Sequence, residues 1–298
     1  MVAQPPPRRW LEGVDRLQQR HAWLAFPAAV AHRYGWQRTA GFAAMIAYYG
    51  FLSILPLFLV AVSLSRLLLE DHPSLQASVM DTLVGRFGVL GEELAASIEP
   101  TTGDTVAVVV GLLVALWAGL GVLQSMQRAF NDIWEVPREE QPTFVRSRLR
   151  SLLTIVGFGI VVLISSVLPA VLAVAGLTVG SWLLGLVVSY VVALLLYLLA
   201  YRLLTSARLR WRDVAPGAAL AAATWVGLQT LGVWLLDRWI GDSSALYGSF
   251  GVTLGMLLWI SLIAQVTLFG AQLNAVRVRH LWPRSFLDRS GDPVTHNT

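Results

Sequence analysis

Six stretches of the chain are apolar for long enough to cross a bilayer, and the charged residues collect between them. They run from about Gly41 to Leu69, Thr105 to Met126, Leu152 to Leu177, Trp182 to Leu204, Val214 to Leu236 and Tyr247 to Val276. A membrane helix needs about 20 predominantly apolar residues. No Asp, Glu, Lys, Arg or His interrupts the central part of any of the six. The pattern predicts an all-α polytopic membrane protein with six transmembrane helices forming a membrane domain over 39–276. Residues 1–38 and 277–298 are expected to be cytoplasmic. The short run AWLAFPAAVA, residues 22–31, is broken by Pro27 and follows Glu12 and Asp15. It is too short and interrupted for a signal peptide and predicts an interfacial helix carrying Trp23 and Phe26. Between the first two spans, Leu75, Val79 and Leu83 recur at helical spacing, as do Leu90, Leu94 and Ile98. Two amphipathic helices are expected in this outer loop, either lying on the membrane or capping a cavity.

Charge fixes the orientation. The 298 residues are 56% hydrophobic and only 13% charged, and all 22 basic residues are arginine. Six spans place 19 of these arginines on one side, leaving Arg66, Arg86 and Arg238 opposite. The acidic residues divide nine and nine, so one side carries +10 and the other −6. Arginine-rich loops stay in the cytoplasm, so both termini are expected there. A pI near 9.8 would suggest nucleic acid in a soluble protein; here topology accounts for it, and no nucleic-acid partner is expected. Trp36, Trp134, Trp182, Trp211, Trp239 and Trp282 fall at span ends as an aromatic belt, while Trp117, Trp225 and Trp259 are placed between helices. Cysteine is absent, which excludes disulfides and thiolate chemistry. The five histidines are isolated and form no metal-binding pattern, so neither a cofactor nor an enzymatic activity is expected.

Polar residues inside the spans are the candidates for function. The first span reads AAMIAYYGFLSILPLFLV over residues 43–60, with Tyr48, Tyr49, Ser53 and Pro56 near its middle. Proline cannot donate to the carbonyl four residues back, and lipid offers no replacement. Tyr49, Ser53 and Pro56 share a helix face, which should therefore point inward. The third span repeats the device as SSVLP, with Ser165, Ser166 and Pro169. Interrupted helices at matching depth point to a substrate path in transporters, and prolines also occur as plain structural kinks. Small residues recur at Gly111, Ala115 and Gly119, at Ser181, Gly185, Ser189 and Ala193, and at Gly251 and Gly255. They are read as close helix contacts within the monomer. The polar groups Gln124, Gln127, Asn131, Gln272 and Asn274, near the cytoplasmic ends of spans two and six, are expected to hydrogen-bond between helices. Asp213, Pro216 and Gly217 read as the start of a helix.

Four stretches together carry a family resemblance: AAMIAYYGFLSILP (43–56), LQSMQRAFNDIWEVP (123–137), WRDVAPGAALAAATW (211–225) and LYGSFGVTLGMLLWISLIAQVTLFGAQLNA (246–275). In order and spacing the chain resembles the YihY/BrkB membrane proteins, once labelled ribonuclease BN, over roughly residues 33–280. The resemblance implies a bacterial inner-membrane protein with six helices, no assigned catalytic residues, and a link to the export of lipopolysaccharide precursors or other lipids. Membrane lipids, anionic ones included, are then the expected partners, with a homo-oligomer or an envelope complex as further possibilities. Tyr48, Tyr49, Ser53, Pro56, Ser165, Ser166 and Pro169 are the substrate-path candidates. Arg38, Arg150 and Arg212 are the headgroup-binding candidates at the cytoplasmic mouth. A lipid or amphiphile pathway fits the absence of buried charge, since acyl chains can stay in the bilayer. A non-transporting scaffold of an envelope complex is the alternative, and ribonuclease activity of the old label is disfavoured because no base and acid are clustered.

Overall fold

A computed structural model describes residues 22–37, 39–68, 73–74, 76–77, 81, 105–174 and 182–281. Among these residues the fold is entirely helical: α1 (Ala22–Trp36), α2 (Thr39–Leu68), α3 (Thr105–Ile133), α4 (Phe144–Val174), α5 (Trp182–Leu203) and α6 (Trp211–Val278), with a 3-10 turn at Arg138–Glu140. Among the described residues, five segments are long and apolar enough to cross a membrane: Thr39–Phe58, Val109–Ile133, Gly185–Leu203, Trp211–Leu231 and Thr253–Val278. The third expected span lies in α4, which is 31 residues of helix. Arg38 and most of the outer loop, with its two expected amphipathic helices, lie outside the described residues.

Although α6 is helical over 68 residues, it doubles back. The Gly217 amide donates to Asn274 Oδ1 across 57 residues of chain at 2.7 Å. A straight helix would separate those residues by roughly 85 Å. The element is therefore two antiparallel arms, one before Leu231 and one after Thr253, as two separate spans require. The remaining helices close a ring: α2 on α3, α3 on α4, α4 on α5, α5 on α6, and α6 back on α2.

Helix contact relies on small residues where backbones approach, since lipid supplies no hydrophobic force between apolar helices. On α3 the buried small residues are Gly111, Ala115, Ala118, Ser125 and Ala129, and α2, which packs against it, buries Ala43, Ile46, Ala47 and Ser53. A Cβ on Gly121 would stand 2.7 Å from the Tyr49 ring, so the ring fills the notch that this glycine leaves. The tightest crossing joins the two arms of α6 to α5. A Cβ on Gly217 would meet the Gly270 carbonyl oxygen at 2.0 Å, and one on Gly270 would meet the Tyr201 hydroxyl at 2.4 Å. That hydroxyl donates to the Thr267 carbonyl at 2.7 Å.

The placement corrects several expectations. Gly185 and Gly255 have open space where a side chain would sit, so neither is a close contact within the monomer, although Ala193 of the Gly185 seam is buried. Trp117 is exposed rather than packed between helices, whereas Trp134, just past the end of a candidate span, packs into the core. Helix α1 continues through Pro27 and docks Ala29 and Val30 against Val276 of α6, with Phe26 beside them. Pro216 lies in the second turn of α6, not at its start. Asp213 occupies the first turn and accepts the Arg210 backbone amide at 2.8 Å.

Candidate functional site

Helix α3 ends in a Schellman motif, in which the last carbonyls accept amides from the residues beyond. Val136 N–H donates to the Asn131 carbonyl at 2.8 Å, and Glu135 N–H to that of Asp132 at 3.0 Å. The motif needs a left-handed residue, and Glu135 supplies it at φ 50°. Its carboxylate is thereby aimed between two arginines from distant parts of the chain. Arg33 Nη2 reaches Glu135 Oε1 at 2.6 Å and the Ile133 carbonyl at 3.0 Å. Arg279 Nη1 reaches the other carboxylate oxygen and the Trp134 carbonyl. Both cations also meet the negative end of the α3 dipole. Arg33 is only 2% exposed, so its charge depends on these partners.

The surrounding amides join the helix ends. Gln127 Nε2 donates to the Ser147 carbonyl at 3.1 Å and to Ser151 Oγ at 2.8 Å, while Ser147 Oγ donates back to Gln127 Oε1. Asn131 Oδ1 accepts the Ser206 amide at 2.8 Å. Gln272 Nε2 donates to Gln37 Oε1 at 3.0 Å. Asn274 bonds the backbone on both sides of Pro216, accepting from Gly217 N–H and donating to the Val214 carbonyl at 3.0 Å. It thus supports the turn that the proline disturbs. The interhelical role expected of Gln127, Asn131, Gln272 and Asn274 is what these bonds provide.

Within this polar end lies a crevice of about 590 Å³, lined by Gln37, Phe42, Arg128, Asn131, Asp132, Glu135, Val136, Arg138 and Gln141. A second cavity of about 180 Å³ shares Arg128, Asn131 and Gln141 and extends past Gln124, Gln127, Pro142, Phe144 and Ser147. It sits where α3 and α4 meet. Beyond that meeting point both helices present bare apolar sides, with Leu113, Leu116 and Trp117 exposed on α3 and Leu153, Val156 and Ile160 exposed on α4. The larger crevice has room for a small molecule, and its lining is mostly polar and charged, suited to a charged group rather than to an apolar ligand. Sequence reasoning noticed the amides here but not the cavity. The spacing Arg128, Asn131, Asp132, Glu135 on one helix face was the available signal.

The residues singled out from sequence are dispersed. Ser53 is buried, and its hydroxyl donates to the Gly50 carbonyl at 2.7 Å, one turn before Pro56. Tyr49 packs edge-on to Trp117, while Tyr48 is 59% exposed. Ser165, Ser166 and Pro169 lie on the helical backbone of α4, with side chains outside the described residues. Helix α3 stands between α2 and α4, so among the described residues the helices carrying Pro56 and Pro169 are not packed as a pair. Arg150 is committed to the turn just after α5: its guanidinium donates to Ser206 Oγ at 3.2 Å and to the Thr205 carbonyl at 3.4 Å. Burial, and then the charge of Arg146, lower its pKa, although a guanidinium stays charged. Arg212 is exposed on the first turn of α6.

Long apolar helices, a small-residue ring and a polar cap at the arginine-rich end define a multi-pass helical membrane protein. The sequence matches the family described as Virulence factor BrkB over residues 30–285, and the chain belongs to that family, also known as YihY/BrkB. It is similar to the inner membrane protein YhjD of Escherichia coli, 25% identical over 276 residues, 85% of this chain and 81% of the relative. The ribonuclease-like protein YfkH of Bacillus subtilis is 24% identical over 85% of this chain and 95% of its own length. A UPF0761 membrane protein of Stenotrophomonas maltophilia is 27% identical over 89% of this chain but 63% of its own length. No solved structure matches. The protein is accordingly a multi-pass protein of the bacterial inner membrane. Among the described residues, no group of three or more His, Cys, Asp or Glu side chains comes together.

Proposed function

We propose that the protein moves a lipid or other amphiphile across the inner membrane through six crossings, with both termini in the cytoplasm. One observation carries the reading: a charged crevice between the start of α2 and the end of α3 adjoins, through Arg128, Asn131 and Gln141, a smaller polar cavity where α3 and α4 meet, and both of these helices expose apolar sides. A headgroup can occupy such a crevice while its acyl chains stay against the helices. That arrangement avoids the cost of carrying charge through hydrocarbon. In this reading the hydroxyl-bearing face of α2 (Tyr48, Tyr49, Ser53, Pro56) and the Ser165–Ser166–Pro169 stretch of α4 flank the route. Arg38, Arg150 and Arg212 raise the local concentration of anionic lipid, each contributing about 1 kcal/mol near the surface.

The test is reconstitution of the whole chain in liposomes with fluorescent lipids in one leaflet. Movement above protein-free liposomes is expected. Arg128→Gln should slow it about tenfold, the usual scale for losing a charge-assisted hydrogen bond. Flux no greater than in empty liposomes would discard the reading. A non-transporting scaffold of an envelope complex is the second reading. It is favoured by the commitment of Tyr49 to the Gly121 notch and of Ser53 to the Gly50 carbonyl, which uses both for packing.

A further inference from the structure

We propose that the crevice selects a zwitterionic headgroup of the phosphoethanolamine type, with the phosphate at Arg128 and the ammonium at Asp132. This rests on the amphiphile reading above and names the chemistry of its headgroup. The lining carries both signs of charge: Arg128 and Arg138 against Asp132 and Glu135. Glu135 is already held by Arg33 and Arg279, so the carboxylate left to a ligand is that of Asp132.

Arg128 and Asp132 are four residues apart on α3 and both exposed. Their Cβ atoms are therefore about 5–6 Å apart on one face. Among the described residues, neither side chain is joined to the other, or to any other side chain, by a hydrogen bond or ion pair. An arginine preceding the acid is also the weaker order for such a pair. Asp132 feels the nearby charges of Glu135 and Arg33, but no side-chain bond occupies it or Arg128, so both can meet a ligand whose own opposite charges are separated by a short ethylene link.

The same groups discriminate between headgroups. A purely anionic phosphoglycerol offers its phosphate to Arg128 but leaves Asp132 without a cation. Phosphocholine offers a cation that cannot donate hydrogen bonds to a carboxylate, and Phe42 is the one aromatic ring of the larger crevice, short of an aromatic cage. A primary ammonium donates to Asp132 while the guanidinium donates to phosphate, so both bonds are charge-assisted.

The experiment uses full-length protein in nanodiscs and reads the melting shift on titration. Soluble glycerophosphoethanolamine is compared with glycerophosphoglycerol, glycerophosphocholine and inorganic phosphate. Wild type is expected to prefer phosphoethanolamine by about tenfold, the scale of one hydrogen bond to a charged group. Arg128→Gln should weaken every ligand, whereas Asp132→Asn should abolish the preference and leave phosphoglycerol binding within about twofold. Equal affinities in wild type, or a preference that survives Asp132→Asn, would overturn the proposal. The wild-type ranking decides alone if a variant fails to fold. Native mass spectrometry with phosphatidylethanolamine and phosphatidylglycerol then identifies the source. Retention of the ethanolamine lipid is expected. Its absence despite binding of the soluble compound assigns the site to a free metabolite and overturns the lipid assignment. Headgroup preference without flux sinks the translocation reading only, and flux without preference sinks this one only.

Discussion

Glu135 sits where a glycine would rest without strain. Its φ of 50° is the left-handed conformation at a helix C-terminus, which costs a residue with a Cβ about 1–2 kcal/mol. The compensation is electrostatic, since that conformation directs the carboxylate at both Arg33 and Arg279. Two replacements separate these terms. Glu135→Ala loses the ion pairs and keeps the strain, while Glu135→Gly loses the ion pairs and removes the strain. Both should melt below wild type, and the glycine variant should lie above the alanine one by about 1 kcal/mol. Because the carboxylate is 49% exposed, solvent moderates the loss to about 1–3 kcal/mol, below the range for a fully buried pair. Thermal scans in detergent would check the order, and equal melting of the two variants would remove the strain argument. None of this was legible in WEVP, because a Schellman motif normally announces itself with glycine. The hydroxyl of Ser53 was legible: a serine three residues before a proline has local carbonyls in reach, and it bonds Gly50.

Among the elements, the helices themselves could be read from hydropathy, and their contacts could not. Gly251 and Gly255 have the spacing of a packing seam, yet a Cβ at Gly255 would touch nothing. The real crossing pairs Gly217 with Gly270, from arms far apart in sequence, and no short-range pattern reveals it. Spacing states which residues share a face; it does not state which neighbour that face meets. The two kinds of glycine predict opposite results. Gly217→Ala drives a methyl into the Gly270 carbonyl, backbone against backbone, so the arms must separate. The loss should exceed about 3 kcal/mol, and the protein should be recovered poorly from membranes. Gly255→Ala adds a methyl facing open space on a helix and should be neutral or raise stability by up to about 1 kcal/mol. Fluorescence-detected size exclusion after heating would rank them. A tolerated Gly217→Ala would mean that the arms do not touch as described. Asn274 belongs to the same crossing, and its loss leaves both the Gly217 amide and the Val214 carbonyl to find other partners.

Across the whole molecule, the hydrogen bonds converge on one end, and that convergence bears on topology. Gln37 bonds the Asp132 carbonyl, Arg150 bonds Thr205 and Ser206, and Asn274 bonds the backbone at Val214 and Gly217. The chain therefore leaves this end and returns to it three times: between residues 37 and 132, between 150 and 205, and between 214 and 274. The same end holds Arg33, Arg128, Arg138, Arg150, Arg210 and Arg279, which the positive-inside rule assigns to the cytoplasm. Under the six-span reading proposed above, each excursion makes one outward and one inward crossing, and the arginine-rich end faces the cytoplasm. The chain has no cysteine, which makes single-cysteine labelling direct. Gln141→Cys and Ala207→Cys should react with a membrane-impermeant maleimide only after cells are opened. Cysteine at Asp242, between the two arms of α6, should react in cells whose outer membrane alone is permeabilised. Labelling of Gln141→Cys under that second condition would invert the orientation and place the crevice on the periplasmic side. Protection of Asp242→Cys under both conditions would mean that the two arms of α6 do not form a pair of full crossings, and the count of six would fall with them.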